Sequence, residues 1–312
     1  ANLKLLEARL LAEYYDVVTA RSGPDAIEIC EVSRVDVILL DVMMPGMDGF
    51  EVCRRLKADP STTHIPVIMI TALDQPADRV RGLEAGADDF LTKPVKDLQL
   101  LTRVKSLARL KALTDELRLR AATTRNIGIE QLLQQRIGDT DEIPRVLLVE
   151  EAAAVGAQIK RILHGHFEME IAADPQTALQ CAAGGVHECV IVSTRSSRYD
   201  PLRLCAQLRA LERAHLVPII LLADEQDEEY VIRGLELAVN DYVLRPVERQ
   251  ELVARLRTQI RRKRYNDGLR FSVARTVEMA VTDPLTGLHN RRYLDSHLQT
   301  LFDRATARQR PL

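Results

Sequence analysis

The sequence contains no tryptophan, and only 4% of its 312 residues are aromatic. Its cores must therefore be built from aliphatic side chains. Cysteine is scarce, at Cys30, Cys53, Cys181, Cys189 and Cys205. The number is odd, no C-x-x-C pair occurs, and most of the five sit among apolar neighbours. This argues against a disulfide framework or a thiolate metal cluster and for reduced core thiols in a cytoplasmic protein. No apolar run approaches the ~20 residues of a membrane span. The chain opens with Asn2 and Lys4 inside an amphipathic pattern, without the apolar core of a signal peptide. Charge excess is lacking too: 43 basic and 45 acidic residues leave a net charge of −2. The molecule as a whole therefore has no gross attraction for nucleic acid or anionic lipid.

What the chain does contain is itself, twice. IPVIMITA (65–72) reappears as VPIILLAD (217–224), and RGLEAGADDFLTKPV (81–95) as RGLELAVNDYVLRPV (233–247). At the same offset, DVILLDV (36–42) falls on ECVIVST (188–194), and MDGFEVCRRLK (47–57) on YDPLRLCAQLR (199–209). Matching blocks in one register identify two copies of one domain.

Each copy alternates short apolar runs with helical patterns. In the first, Leu3, Leu6 and Leu10 mark a helical face, and Val17–Thr19 reads as a short strand. Residues 25–32 are helical and 36–40 a buried strand, followed by helix 49–58, strand 66–70, helix 76–85, strand 89–91 and a long helix from Leu98. Strands that are almost continuous Val, Ile and Leu imply a parallel sheet covered on both faces. In such sheets function collects at the carboxyl ends of the strands. Those ends deliver Asp41, Thr71 and Lys93 to one edge.

An acid, a hydroxyl and an amine at one edge suit phosphoryl capture. A carboxylate can attack phosphorus to give an aspartyl phosphate. Mg²⁺ binds through one or two carboxylates plus phosphate oxygens. Lys93 can pair with a phosphate oxygen as a point charge, and Thr71 can hydrogen-bond another. Phe90, three residues before Lys93, can pack in two ways depending on Thr71, as a phosphorylation switch requires. Taken singly, each of these residues reads as a cap, a turn former or a solvated side chain; together they read as a site.

LLDVMMPGMDGFEV, ITAL and DFLTKP resemble the downstream motifs of the receiver domain of two-component response regulators, over essentially all of residues 1–110. The resemblance implies Asp41 as phosphoacceptor, Thr71 and Lys93 as phosphate-sensing residues, and Phe90 as switch aromatic. It implies Mg²⁺ held by Asp41 and the Met43 carbonyl, and a cis peptide at Lys93–Pro94. It further implies two tandem flavodoxin-like α/β domains with strand order 2-1-3-4-5, and a histidine kinase or phosphotransfer protein as partner. A haloacid dehalogenase would need an aspartate where Met43 stands. A receiver opens on a strand ending in two adjacent acids. This sequence begins inside the helix that follows, so we expect an N-terminally truncated domain with weak Mg²⁺ binding and poor phosphorylation at Asp41.

The second copy has its opening strand, RVLLVEE (145–151), with Glu150 and Glu151 in the acid pair's place. Ser193 replaces the phosphoacceptor, Ala223 the hydroxyl residue and Arg245 the lysine. Serine lacks the carboxylate, alanine cannot bond phosphate, and arginine is a larger planar cation. This copy reads as a degenerate receiver kept as an adaptor.

A long helical pattern over 251–282 runs into DPLTGLHNRRYLDSHL (283–298), where Asp283-Pro284 reads as a helix start. D-x-L-T-G-L-x-N-R-R resembles the opening of GGDEF domains, which make cyclic di-GMP from two GTP molecules. Two receivers followed by this opening resemble response regulators with a diguanylate cyclase output. The implied division is receiver 1–123, linker 124–144 with some helix, degenerate receiver 145–266, and signalling helix with truncated GGDEF start 267–312. The GG[DE]EF turn and GTP sites are expected beyond Leu312, so this stretch is itself no enzyme. Phosphorylation would act by promoting a homodimer, to which Tyr14 and Tyr15 are candidate contributors. The alternative is a phosphoacceptor and dimerisation module without cyclase output. The basic run RTQIRRKRY (257–265) comes without a DNA-recognition element and reads as a solvated face, or one paired with acids of a neighbouring domain. His164-Gly165-His166 lacks further ligand spacing and is weak as a metal site.

Overall fold

The structure, a computed structural model, describes residues 2–72, 76–122, 142–237 and 239–281, with Leu288 and Leu294. The linker 124–144, apart from its last residues, and nearly all of the 283–298 motif lie outside the described residues. One compact unit holds Ala1–Thr114 and Asp141–Lys263, and therefore both repeats. The other holds Asp115–Thr140 and Arg264–Leu312; within it Arg118 donates to the Tyr265 hydroxyl at 2.9 Å.

The first repeat runs α1 (Asn2–Ala12), α2 (Gly23–Val32), β1 (Ile38–Asp41), α3 (Gly49–Ala58), β2 (Val67–Thr71), α4 (Pro76–Glu84), β3 (Asp89–Thr92) and α5 (Asp97–Ala122). The second runs β4 (Arg145–Val149), α6 (Ala153–Leu163), β5 (Glu168–Ala172), α7 (Pro175–Ala183), β6 (Cys189–Ser193), α8 (Pro201–Ala210) and β7 (Ile219–Ala223). It continues through α9 (Glu228–Leu237), β8 (Asp241–Leu244) and the long α10 (Arg249–Val281). The second sheet has the order β5-β4-β6-β7-β8, all parallel. This is the 2-1-3-4-5 order that the resemblance implied. The first sheet has three parallel strands, β1-β2-β3.

Val17–Thr19 is not a strand, contrary to the sequence reading. Its counterpart in the second repeat, β5, is an edge strand whose ladder is made with β4 alone. In the three-stranded first sheet β1 pairs with β2 only, so Val17–Thr19 has no ladder to join.

Strand alternation sends side chains to two cores. In the second repeat, Val146, Leu148, Ile191, Ile220 and Leu222 pack on α6 and α10, while Leu147, Val190, Val192, Ile219 and Leu221 pack on α7, α8 and α9. In the first, Ile68 and Leu91 pack on α1 and α5, and Leu40, Val67 and Met69 on α2 and α3. Burying residues of this size on both faces supplies most of the folding drive, about 1.5–3 kcal/mol for each large aliphatic side chain. All five cysteines are free, and Cys30, Cys53, Cys189 and Cys205 are buried, as the sequence reading held. Among the described residues no helix is long and apolar enough to cross a membrane.

Candidate functional site

Asp41 closes β1, and a tight turn follows in which Gly46 takes φ +82°. Asp48 then caps α3 by accepting from the Glu51 amide at 2.8 Å. Gly49 lets this helix start press on the site: a Cβ there would lie 2.4 Å from the Asp41 carbonyl oxygen. Glycine is the residue type that permits such a backbone approach.

The Asp41 carboxylate is 37% exposed, reachable yet held. Its Oδ1 accepts from the Met43 amide at 3.1 Å, and its Oδ2 from Lys93 Nζ at 2.6 Å. Lys93 follows β3, its own amide donates to the Thr71 carbonyl at 2.7 Å, and its peptide with Pro94 is cis. Thr71 ends β2, the strand between β1 and β3, and is buried. Two strand ends thus bring Asp41 and Lys93 into contact, with Thr71 on the strand between them. A nucleophilic oxygen beside a fixed ammonium is suited to binding and neutralising a phosphoryl group.

For a divalent cation, Asp41 and the Met43 carbonyl offer hard oxygen donors of the kind Mg²⁺ takes. The donor chemistry fits, but the donors are few. Among the described residues no group of three or more His, Cys, Asp or Glu side chains is arranged to hold a metal.

Phe90 is half-buried and helps line a small cleft together with Val42, Phe50, Met69, Thr71 and Arg79. Its ring lies beneath two guanidinium groups, Arg79 at 5.3 Å and Arg255 of the second repeat at 4.8 Å. Sequence reasoning missed these arginines and the network behind them. Arg103 pairs with Asp89 and Asp241, and Arg255 with Asp241 at 2.7 Å and Asp89 at 3.6 Å. Arg103 also covers the Tyr242 ring at 4.3 Å, as Arg255 covers Phe90. The arrangement is pseudo-symmetric, each repeat contributing an aspartate, an arginine and an aromatic from matching positions. A signal was present: Asp89/Asp241 and Arg103/Arg255 are identical between repeats at the offset where the site residues differ. From the basic run, Arg262 reaches Asp88 of the first repeat, the acid-paired outcome of the two considered.

In the second repeat the matching edge is occupied by its own side chains. Glu150 is 2% exposed, and its Oε1 accepts from the Ala152 amide at 2.9 Å. Glu151 is bonded by the Ser197 amide and hydroxyl and the Ser196 hydroxyl, and these bonds, led by the Ser197 amide, hold its carboxyl below the usual range. Ser193 and Ala223 are fully buried. Arg245, before a second cis-proline, donates to the Ser193 hydroxyl at 2.7 Å.

Both repeats match a known family. The family model described as the response regulator receiver domain matches residues 1–105 and again 146–257. The chain is 47% identical over 306 residues to "Response regulator PleD" of Caulobacter vibrioides, covering 98% of this chain and 67% of that one. Among solved structures, a receiver domain of a signal transduction histidine kinase from Syntrophus aciditrophicus is 44% identical, covering 35% of this chain and 82% of that one with TM-score 0.33. A sensor histidine kinase receiver from Pseudomonas aeruginosa, solved with a coordinated magnesium ion, is 26% identical over 38% of this chain and 98% of that one, TM-score 0.35. With its duplicated α/β domains and the family model matching both, the chain belongs to the response regulator receiver family.

Proposed function

We propose that this chain is the input half of a phosphorylation-controlled response regulator, with Asp41 as phosphoacceptor and a diguanylate cyclase as output. The 2.6 Å contact between Lys93 Nζ and Asp41 Oδ2 is the observation that carries the reading. An Asp41 carboxylate oxygen attacks the phosphorus of a phosphohistidine on a kinase or phosphotransfer protein. The new P–O bond forms as the P–N bond breaks, and the imidazole nitrogen takes up a proton. Lys93 then exchanges its carboxylate partner for a phosphoryl oxygen, and Thr71 hydrogen-bonds another. Mg²⁺, held through Asp41 and the Met43 carbonyl, would supply neutralisation of charge on the transferring group.

The response is read through Phe90, which adjoins both the Thr71 cleft and Arg255 of the second repeat. The degenerate repeat acts as adaptor, the division into receivers, linker and signalling helix following the boundaries expected from sequence. Phosphorylation favours a homodimer, which raises the effective concentration of two attached GGDEF domains and so promotes synthesis of cyclic di-GMP from GTP. Tyr14 is 99% exposed and stands free for such a contact, while Tyr15 packs into the α1–α5 core. The setting is cytoplasmic.

Asp41→Asn should abolish phosphoryl uptake from a small-molecule phosphodonor, followed by intact mass, and in the full-length regulator it should remove phosphate-stimulated GTP turnover. Stimulation that survives the substitution would overturn the assignment.

A further inference from the structure

We propose that Arg245 is the resident cation of the second receiver: its guanidinium fills the place where a receiver site takes a divalent ion and a phosphoryl group. This repeat is therefore a fixed partner whose fold needs neither. The inference stands whether or not Asp41 accepts phosphate.

Glu150 sets the problem. A carboxylate 2% exposed at the end of a central strand must have a positive partner, because an unpaired buried charge is strongly unfavourable. The neighbouring cations can be assigned one by one. Arg195 is committed to Asp224 through two bonds, of 2.6 and 2.7 Å, and Arg245 Nη1 approaches the same carboxylate only at 3.9 Å. Arg198 lies 3.2 Å from Glu151 at the exposed rim. Arg245 Nη2 lies 3.3 Å from Glu150 Oε2 and also donates to Ser193 Oγ, while Nη1 donates to the Leu222 carbonyl at 2.9 Å. One planar group thus ties three strand ends together: the acid just after β4, β6's serine and β7's carbonyl.

The substitutions explain one another. In the first repeat, Lys93 ends at a carboxylate, Asp41. In the second, Ser193 is shorter and neutral, so the cation extends past it to Glu150. A lysine presents a single strongly hydrated point, whereas arginine presents a fixed fork that can satisfy several acceptors together. Glu151, the other member of the acid pair, is engaged with Ser196 and Ser197. An incoming Mg²⁺ would have to displace a tethered guanidinium while shedding tightly held water, and Ser193 offers no carboxylate for a phosphoryl group.

The test uses the whole chain with Asp41→Asn, so that divalent effects come from the second repeat. Its melting temperature should be unchanged by millimolar Mg²⁺ or Mn²⁺ at matched ionic strength. Adding Arg245→Ala should lower it by roughly 10 °C and create a saturable recovery with Mn²⁺, which a further Glu150→Gln should abolish. Saturable divalent stabilisation before Arg245 is touched would overturn the proposal, as would an Arg245→Ala protein with no loss and no recovery. Should Arg245→Ala fail to fold even with Mn²⁺, the pair Glu150→Gln with Arg245→Met decides. Removing both charges should restore folding without a metal response, and failure to do so refutes a counter-ion role for Arg245.

Discussion

Asp88 joins the two repeats through a single carboxylate. One oxygen accepts from the Val67 amide and from Lys57 Nζ, each at 2.8 Å, and the other accepts from Arg262 on α10. Asn240 in the second repeat does the local part of this work, accepting from the Ile219 amide at 2.9 Å and Arg209 at 2.6 Å. The charge on Asp88 is therefore needed for Arg262, not for the turn. Burial works against that charge, but Lys57 and Arg262 outweigh it and hold the carboxyl well below the usual aspartate range. A depressed folded pKa stabilises fully above the unfolded value, near ~4, and the contribution is lost as pH falls through the folded one. Asp88→Asn should thus reduce the acid-side loss of stability below pH ~4 and cost roughly 2 kcal/mol at neutral pH. Urea melts across pH measure both quantities. An unchanged acid limb in the variant would show that Asp88 is not the group responsible.

Among the elements, α3 is the one whose placement the site depends on most directly. Its first residue, Gly49, touches the Asp41 backbone so closely that Gly49→Ala must move either the helix or the acid. We expect a loss of about 2–3 kcal/mol, typical of overpacking, together with slower phosphoryl uptake. Full stability with full uptake would mean the approach is not tight. In the sequence that glycine was readable only as the start of helix 49–58, because a close approach depends on two segments meeting in space. The strands themselves were readable, since Leu39-Leu40-Asp41 and Ile68-Met69-Ile70-Thr71 carry a buried-strand pattern and a polar end in the chain itself. Val17–Thr19 carries the same local pattern, yet pairing needs a partner, and β-propensity alone cannot show one. Asp41 and Thr71 end strands and Lys93 follows one, which is what let the sequence offer them as candidates. Arg79 left no such mark, because a helix position facing a second domain looks like ordinary solvated charge, and Arg255 left only its identity with Arg103 at the repeat offset.

The two repeats, taken as a pair, share a charge network that should make them one folding unit. Asp89, Asp241, Arg103 and Arg255 are all buried at the contact. Buried pairs are weakly screened by salt, and their desolvation cost makes them poor net stabilisers when complete. Their removal is another matter, for taking away one sign strands the other in a low-dielectric setting. Arg103→Ala with Arg255→Ala leaves two uncompensated aspartates and uncovers the Tyr242 and Phe90 rings. The two substitutions share partners, so their effects should not add. Each repeat has its own pair of cores, with Phe90 and Tyr242 packed at the edge of one core each. The double variant should therefore split one calorimetric transition into two rather than lower a single one, with the five-stranded repeat melting at the higher temperature. A single transition in the variant, at the parent's temperature, would show that the network couples nothing, and Phe90 could not then report the state of Asp41 through Arg255.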